Sequence, residues 1–365
     1  MTNPNALNFS GGPGALPEVV LAQTRDAIVA LPDTGLSILG TSHRSEWFRA
    51  LLLEAERNLR ELLGLSDDYA LTFQQGGSSL QFAMIPMNFA TPDHAPPEYV
   101  VSGYWSRRAA RDAASVGPAT VAWDGEARGF VDLPDLRALA PDPHAAYLHY
   151  VSNETVEGLQ FDALDTELAV PVIADMSSDF LSAPLRMDRY AMLYAHAQKN
   201  LGPSGVTVAI VHRSLLARVP ARLPAMLDHR IHVAHGSNYN TPPVFAIYVL
   251  TLVSRWLRDE VGGLAAMGEI NARKSARLFA TLDALGDAVS IHAAPRWRSH
   301  MNVAFSFKDA WMDDAFVDYA GRYGIVGLDG HRSIGGLRAS LYNAVTEEAV
   351  ETLCEALLTF GRTRL

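Results

Sequence analysis

Between residues 69 and 211 the chain carries recurrent apolar runs of strand length: Tyr69–Phe73, Tyr99–Ser102, Ala145–Tyr150, Val170–Ala174, Ala191–Ala195 and Val206–Val211. Several alternate with helical patterns, which predicts βα repeats and a largely parallel sheet. The expected class is α/β. A length of 365 residues, 48% of them hydrophobic and 19% charged, is enough to bury one large core and a second, smaller one.

The flanking segments read as helices. From Glu46 to Leu63, Phe48, Leu51, Leu52, Ala55, Leu59, Leu62 and Leu63 recur at three-to-four spacing, with Ser45 as N-cap and Gly64 beyond the end. Another helix is expected to begin near Ser214, and a long one to span about Val244 to Leu257. Gly262-Gly263 then marks the expected boundary between a large domain, residues 17–262, and a small domain made of residues 1–16 and 263–365. In the second unit, helix Leu264–Leu285, strand Met301–Phe307 and a final helix from about Glu347 to Phe360 give an α+β pattern.

A formal net charge of -10 supplies no basic excess for nucleic acid or an anionic membrane, so any anion site must be local. The single cysteine, Cys354, excludes an intrachain disulfide and a cysteine-rich metal site, and suits a reducing cytoplasm. The start, Met1-Thr2-Asn3-Pro4-Asn5, lacks the pattern of a secretory signal. The apolar run Val244–Val253, closed by Arg255, falls short of the ~20 residues that cross a bilayer.

Chemistry concentrates where strands end. The run Ala191–Ala195 leads directly into Lys199, flanked by small residues and glycines; a lysine desolvated at the carboxyl end of a strand can supply the neutral amine of Schiff-base chemistry. Asp175 closes the run Val170–Ala174, where a carboxylate beside a pyridine nitrogen would keep a pyridoxal phosphate ring protonated. Gln75-Gly76-Gly77-Ser78-Ser79 follows one strand and opens the apolar helix Leu80–Met87, a helix N-terminus suited to a phosphate. Two further segments pair histidine with arginine, His43-Arg44 and His331-Arg332 followed by Arg338, and such pairs match carboxylate or phosphate. Taken one at a time, each feature has a plainer explanation: a surface lysine, a loop-capping or metal-binding aspartate, an ordinary turn, a solvated basic loop. His229, His232 and His235 recur every third residue, but without a nearby acidic or cysteine partner they read as a chance spacing on a loop or an interface edge, and no metal is expected.

In order along the whole chain, the segments Asn8–Pro13, Ser42–Arg44, Gln75–Phe82, Gly103–Trp105, Ser152–Thr155, Ala174–Ser178, Ala197–Gly205, Tyr239–Pro243, Gly330–Arg332 and Arg338–Asn343 resemble the phosphoserine aminotransferases, class V aminotransferases of the fold-type I pyridoxal-phosphate enzymes. The resemblance implies an aspartate-aminotransferase-like fold, pyridoxal 5'-phosphate as cofactor, and transfer of an amino group between glutamate and 3-phosphohydroxypyruvate in serine biosynthesis. A phosphorylated four-carbon oxo acid of pyridoxine biosynthesis is a further expected substrate. Lys199 would be the Schiff-base lysine and proton shuttle, and Asp175 the partner of the ring nitrogen. Trp105 would stack on the ring, Thr155 would bond its hydroxyl, and Gly77, Ser78, Ser79 and Gln198 would hold the phosphate. Asn240 and Thr241 would reach that phosphate from a neighbouring subunit, which implies a homodimer. Arg338 would grip the substrate α-carboxylate, with His43, Arg44, His331 and Arg332 around the distal anion. Without the resemblance, Trp105 reads as a core aromatic and Asn240-Thr241 as a turn before two prolines. Some members carry arginine at the position of Ser79 and others serine, so Ser79 points to a subgroup.

Two other enzymes on the same scaffold compete. A cysteine desulfurase needs a mobile nucleophilic cysteine, whereas Cys354 lies in the apolar helical pattern Val350–Leu357. An aminotransferase for small oxo acids would have no use for two His-Arg pairs. A non-catalytic sensor of a phosphorylated metabolite is the alternative of a different class, although the chain shows no DNA-binding arm.

Overall fold

The computed structural model describes residues 5–364. Residues 1–4 and Leu365, which hold most of the segment considered above as a leader and the outer ends of the expected small domain, lie outside the described residues. Among the described residues the strands are β1 (Tyr69–Gln74), β2 (Glu98–Val101), β3 (Thr120–Asp124), β4 (Leu148–Val151), β5 (Asn153–Glu154), β6 (Leu159–Gln160), β7 (Val172–Asp175), β8 (Met192–His196), β9 (Thr207–His212), β10 (Val289–Ile291), β11 (Asn302–Phe307) and β12 (Leu337–Ser340). The α-helices are α1 (Glu18–Val29), α2 (Glu46–Leu63), α3 (Gly77–Phe89), α4 (Tyr104–Val116), α5 (Arg213–Leu216), α6 (His229–Ala234), α7 (Val244–Arg255), α8 (Leu264–Ala284), α9 (Trp311–Gly321) and α10 (Glu347–Arg364).

A seven-stranded sheet in the order β1-β9-β8-β7-β4-β2-β3 forms the centre. Its pairings are parallel from β8 through β7, β4 and β2 to β3, while β9 runs antiparallel to both β8 and β1. Successive residues of each strand serve opposite cores. Leu71, Leu148, Ala174, Leu193 and Ile210 face a layer containing α1, α2 and α7, whereas Ala70, Tyr147, Ile173, Met192 and Ala209 face α3 and α4. This double burial is why the buried strands of the sheet are largely apolar, with polar residues such as Thr72 and His149 enclosed among them.

A second sheet, β10-β11-β12, is antiparallel and packs with α8, α9 and α10 around its own cluster, which holds Cys354 and also Phe9 and Ala15 from the start of the chain. The thiol is buried as a packing residue.

Helix α2 has the expected bounds because both ends are chemically specified. Ser45 Oγ accepts the Phe48 N–H at 3.1 Å, and Gly64 adopts φ 58° at the C-terminus, a left-handed conformation that favours glycine. Other expectations need correction. The helix expected to begin near Ser214 is present as the short α5, whereas α7 stops at Arg255, where a π-helical turn, Trp256–Glu260, takes over. The βα alternation holds for β1-α3-β2-α4-β3, but β8 returns directly into β9 as an antiparallel pair. β3 had no apolar run to mark it, since it is a largely exposed edge strand. Among the described residues no helix is long and apolar enough to cross a membrane.

Candidate active site

The parallel strands all point their carboxyl ends at one place, and the loops that follow them build the site. β7 ends in Asp175; β8 ends at His196, three residues before Lys199; β1 feeds the Gln75–Ser79 turn; β2 leads to Trp105 at the start of α4; and β4 precedes Thr155.

Lys199 is buried, and its amine donates to Thr155 Oγ1 at 2.5 Å and Ser178 Oγ at 2.8 Å. Burial brings it down to about 8 from an ordinary 10.5, with the charge of Asp175 opposing that fall and Arg338 adding to it. Asp175 is 3% exposed, and burial raises its carboxyl above the usual range. Hydrogen bonds from the Ser177 hydroxyl (2.6 Å) and N–H (2.9 Å) to Oδ1, together with Lys199, pull the other way. Two groups driven toward neutrality, one at the end of β7 and one just beyond β8, leave room for an electrophile at the amine and a ring cation at the acid.

The opposite wall is the N-terminus of α3. Gly76 (φ 94°) and Gly77 (φ 68°) take the left-handed conformation, so Ser78 and Ser79 fall in the first helical turn, where N–H groups have no carbonyl partner within the helix. Ser78 Oγ lies 2.7 Å from Ser177 Oγ, tying the anion end to the acid end. Trp105 lies over the amine, with Lys199 Nζ 5.8 Å from its ring centroid, and its buried indole N–H has no partner. A cavity of about 520 Å³ joins Gly77, Ser78, Ser79, Trp105, Thr155, Asp175, Gln198 and Lys199. Donors for a phosphate, an acid for a protonated ring nitrogen, an amine for a carbonyl and an aromatic wall fit pyridoxal phosphate.

The remaining sequence-predicted residues form two groups outside that cavity. Arg338, on β12, carries its guanidinium across Gly11, where an added Cβ would collide with it, and its buried Nε has no partner. His331 is close enough to Arg338 and Arg332 for their charges to add to the lowering that burial causes, and its ring lies 4.6 Å from that of Tyr104. The second group is Asn240, Thr241, His43 and Arg44. Asn240 Nδ2 donates to Gln75 Oε1 at 2.8 Å, Gln75 Nε2 donates to the Thr241 carbonyl at 3.4 Å, and Asn238 Nδ2 donates to the His43 carbonyl at 3.1 Å. Among the described residues no hydrogen bond, ion pair or ring contact joins the two His-Arg pairs.

Sequence reasoning missed Ser177, Ser178 and His196 as lining residues, and Glu154 and Glu157 as buried supports. Only Ser177 carried a local signal, since serine two positions after a strand-end aspartate readily closes a side-chain turn. The spaced histidines lie on and just beyond α6 instead of a loop. His229 is buried, bonded to Gln74 and stacked on Phe89; His232 bonds the Met226 carbonyl; His235 packs on Tyr239.

The profile of the family Aminotransferase class-V matches residues 6–353, and the chain belongs to that family. More particularly, it is similar to phosphoserine aminotransferases. That of Geobacillus kaustophilus is 44% identical, over 98% of this chain and 98% of the relative. The solved phosphoserine aminotransferase of Bacillus circulans subsp. alkalophilus superposes with a TM-score of 0.94 at 42% identity, covering 98% of each chain. The PLP-bound phosphoserine aminotransferase of Trichomonas vaginalis does so with a TM-score of 0.90 at 35% identity, covering 96% of this chain and 99% of that one.

Proposed function

We propose that this chain is a phosphoserine aminotransferase using pyridoxal 5'-phosphate to transfer an amino group reversibly between glutamate/2-oxoglutarate and 3-phosphohydroxypyruvate/O-phosphoserine. The observation that carries this is the buried Lys199 amine and buried Asp175 carboxylate at the ends of neighbouring strands, in one cavity with an anion-ready helix N-terminus. When bound, the cofactor supplies an electrophilic carbonyl and a ring that accepts electron density from the substrate Cα.

The protein does the rest. Lys199, made easier to deprotonate by burial, serves as nucleophile and, once free, carries a proton away from the substrate Cα. Asp175 keeps the ring nitrogen protonated, Thr155 bonds the ring hydroxyl, and Trp105 covers the ring face. Gly77, Ser78, Ser79 and Gln198 hold the phosphate. Arg338 takes the α-carboxylate, and His43, Arg44, His331 and Arg332 receive the distal group. Glutamate's second carboxylate and the phosphate of phosphohydroxypyruvate are both distal anions, so one basic cluster accepts each in turn.

Asn240, Thr241, His43 and Arg44 share a rim apart from Arg338, which supports a homodimer in which this rim completes the cavity of a second copy. We further propose a large domain, residues 17–262, and a small domain, residues 1–16 and 263–365. The setting is cytoplasmic serine biosynthesis, with the phosphorylated hydroxythreonine of pyridoxine biosynthesis as a second substrate. The test is a visible spectrum of the parent and Lys199→Ala before and after glutamate, followed by acceptor rates. Loss of the cofactor band only in the variant, with phosphohydroxypyruvate preferred to pyruvate, is expected; equal acceptor rates would overturn the assignment.

A further inference from the structure

Two buried carboxylates stand beneath the first turn of α4. Glu154 is 0% exposed and Glu157 3% exposed, and both touch the point where a Cβ on Gly103 would sit, Glu157 Oε2 at 2.6 Å and Glu154 Cδ at 2.7 Å. Their hydrogen bonds are unequal. Glu154 accepts from the N–H groups of Trp105 (3.0 Å) and Ser106 (2.9 Å) and from Ser102 Oγ (3.3 Å). Glu157 accepts through Oε1 from the N–H of Tyr104 (2.9 Å), while its buried Oε2 has no partner. Together they satisfy the first three N–H groups of α4, the turn that carries Trp105.

We propose that Glu154 and Glu157 are positioning residues that hold Trp105 over the cofactor cavity as a one-proton pair, with the charge on Glu154 and the proton on Glu157 Oε2. Two adjacent buried carboxylates cannot both stay ionised at acceptable cost. The charge belongs where the donors and the positive helix end are, at Glu154. The proton belongs on the oxygen that accepts nothing. Burial, and for Glu157 the charge of Glu154, push both carboxyls upward, in keeping with that count. Among the cations whose charge reaches Glu157 are Arg107 and Arg338. A neutral Glu157 therefore removes one carboxylate charge that would otherwise act on Arg338. The role of Trp105 rests on the function proposed above, but the proton assignment does not.

Infrared difference spectroscopy at pH 8 of E157Q against the parent tests the proton. The parent should show a buried carboxylic-acid carbonyl band that E157Q removes. The subtraction leaves Asp175 and Asp179 common to both samples, and absence of a difference band overturns the assignment whatever the protein catalyses. The positioning role is read from E154Q, in which the amide NH₂ must face a backbone N–H. Per mole of bound cofactor, kcat should fall about tenfold or more, with KM for glutamate moving less than about threefold and the visible circular dichroism of the cofactor reduced. Parent-like kcat and dichroism in E154Q would overturn it. Should E154Q not fold, Glu154→Asp read by the same dichroism decides in the same way.

Discussion

Ser177 holds one oxygen of Asp175 with two donors, its hydroxyl donating to Oδ1 at 2.6 Å and its N–H donating to the same oxygen at 2.9 Å. The hydroxyl oxygen also accepts the His196 N–H at 3.0 Å, so one side chain fixes the acid relative to the strand that leads to Lys199. Removing the hydroxyl in Ser177→Ala takes away a bond that favours the charged acid, and Asp175, already raised by burial, should rise further. We predict a kcat lower by about tenfold, with the acid limb of the kcat profile displaced to higher pH. Steady-state rates across pH check this, and an unmoved acid limb would refute it.

Lys199 gives a pH prediction with a definite sign. Its folded value, about 8, lies below the ordinary 10.5, so between those two values the unfolded chain binds the proton more than the folded chain does. Stability of the cofactor-free protein should therefore rise as pH climbs from about 8 to 10.5, and Lys199→Met should lose that part of the rise. Thermal midpoints of the two proteins across the window, compared by difference, isolate the lysine from other groups. Uptake of the cofactor aldehyde by the parent should quicken through the same lower bound, since only the neutral amine reacts.

Gly11 is the floor under Arg338, and a methyl group there would overlap the guanidinium. Gly11→Ala should swing the arginine away from a carboxylate while leaving Lys199 and Asp175 in place. Losing a charged, two-point contact predicts a rise in KM for glutamate of about 10- to 100-fold, with kcat changed far less. A fall in kcat without a change in KM would show that Arg338 does not bind the α-carboxylate.

Lys274 is a buried lysine with a structural duty. From α8 its ammonium donates to the carbonyls of Leu341 (3.0 Å), Tyr342 (2.9 Å) and Val345 (2.8 Å), closing the loop between β12 and α10. Lys274→Met fills the space but leaves three acceptors without their donor, which should cost about 3 kcal/mol or more. Chemical denaturation of the cofactor-free protein measures it. Steady-state kinetics of the folded fraction should stay near the parent, because Lys274 lies away from the cavity.

The sequence made the sheet legible because most of its strands are buried on both faces, so they appear as largely apolar runs, including β1 at one edge; β3, exposed at the other edge, left no such trace. Lys199 and Asp175 stood out because a charged residue at the end of an apolar run is costly without a purpose. Glu157 did not, because its role depends on what α4 brings beside it, and Ser177 carried only the local turn signal, its tie to His196 depending on β8 lying beside β7. Glu157 and Tyr104 lie far apart along the chain, and no period or local spacing joins them. The direct return of β8 into β9 was hidden for a related reason, since strand direction is set by the length and course of the connection and not by the strand's own residues.

The last prediction concerns the rim. Asn240 and Thr241 lie against Gln75, and His43 is tied to the same stretch through Asn238, while Lys199 sits in the cavity beyond the Gly76-Gly77 turn. If the rim of one copy completes the cavity of another, a rim variant such as Asn240→Ala with Thr241→Ala and the cavity variant Lys199→Ala damage sites of different composition. Each homodimer should be nearly inactive, the first through weak cofactor retention and the second through loss of the amine. Unfolding and refolding them together should create dimers in which one site receives a sound rim and a sound lysine, and activity should reappear. Mixed refolding that restores nothing, with mixed dimers confirmed by tag-based separation, would place the rim and the lysine in the same site of one chain.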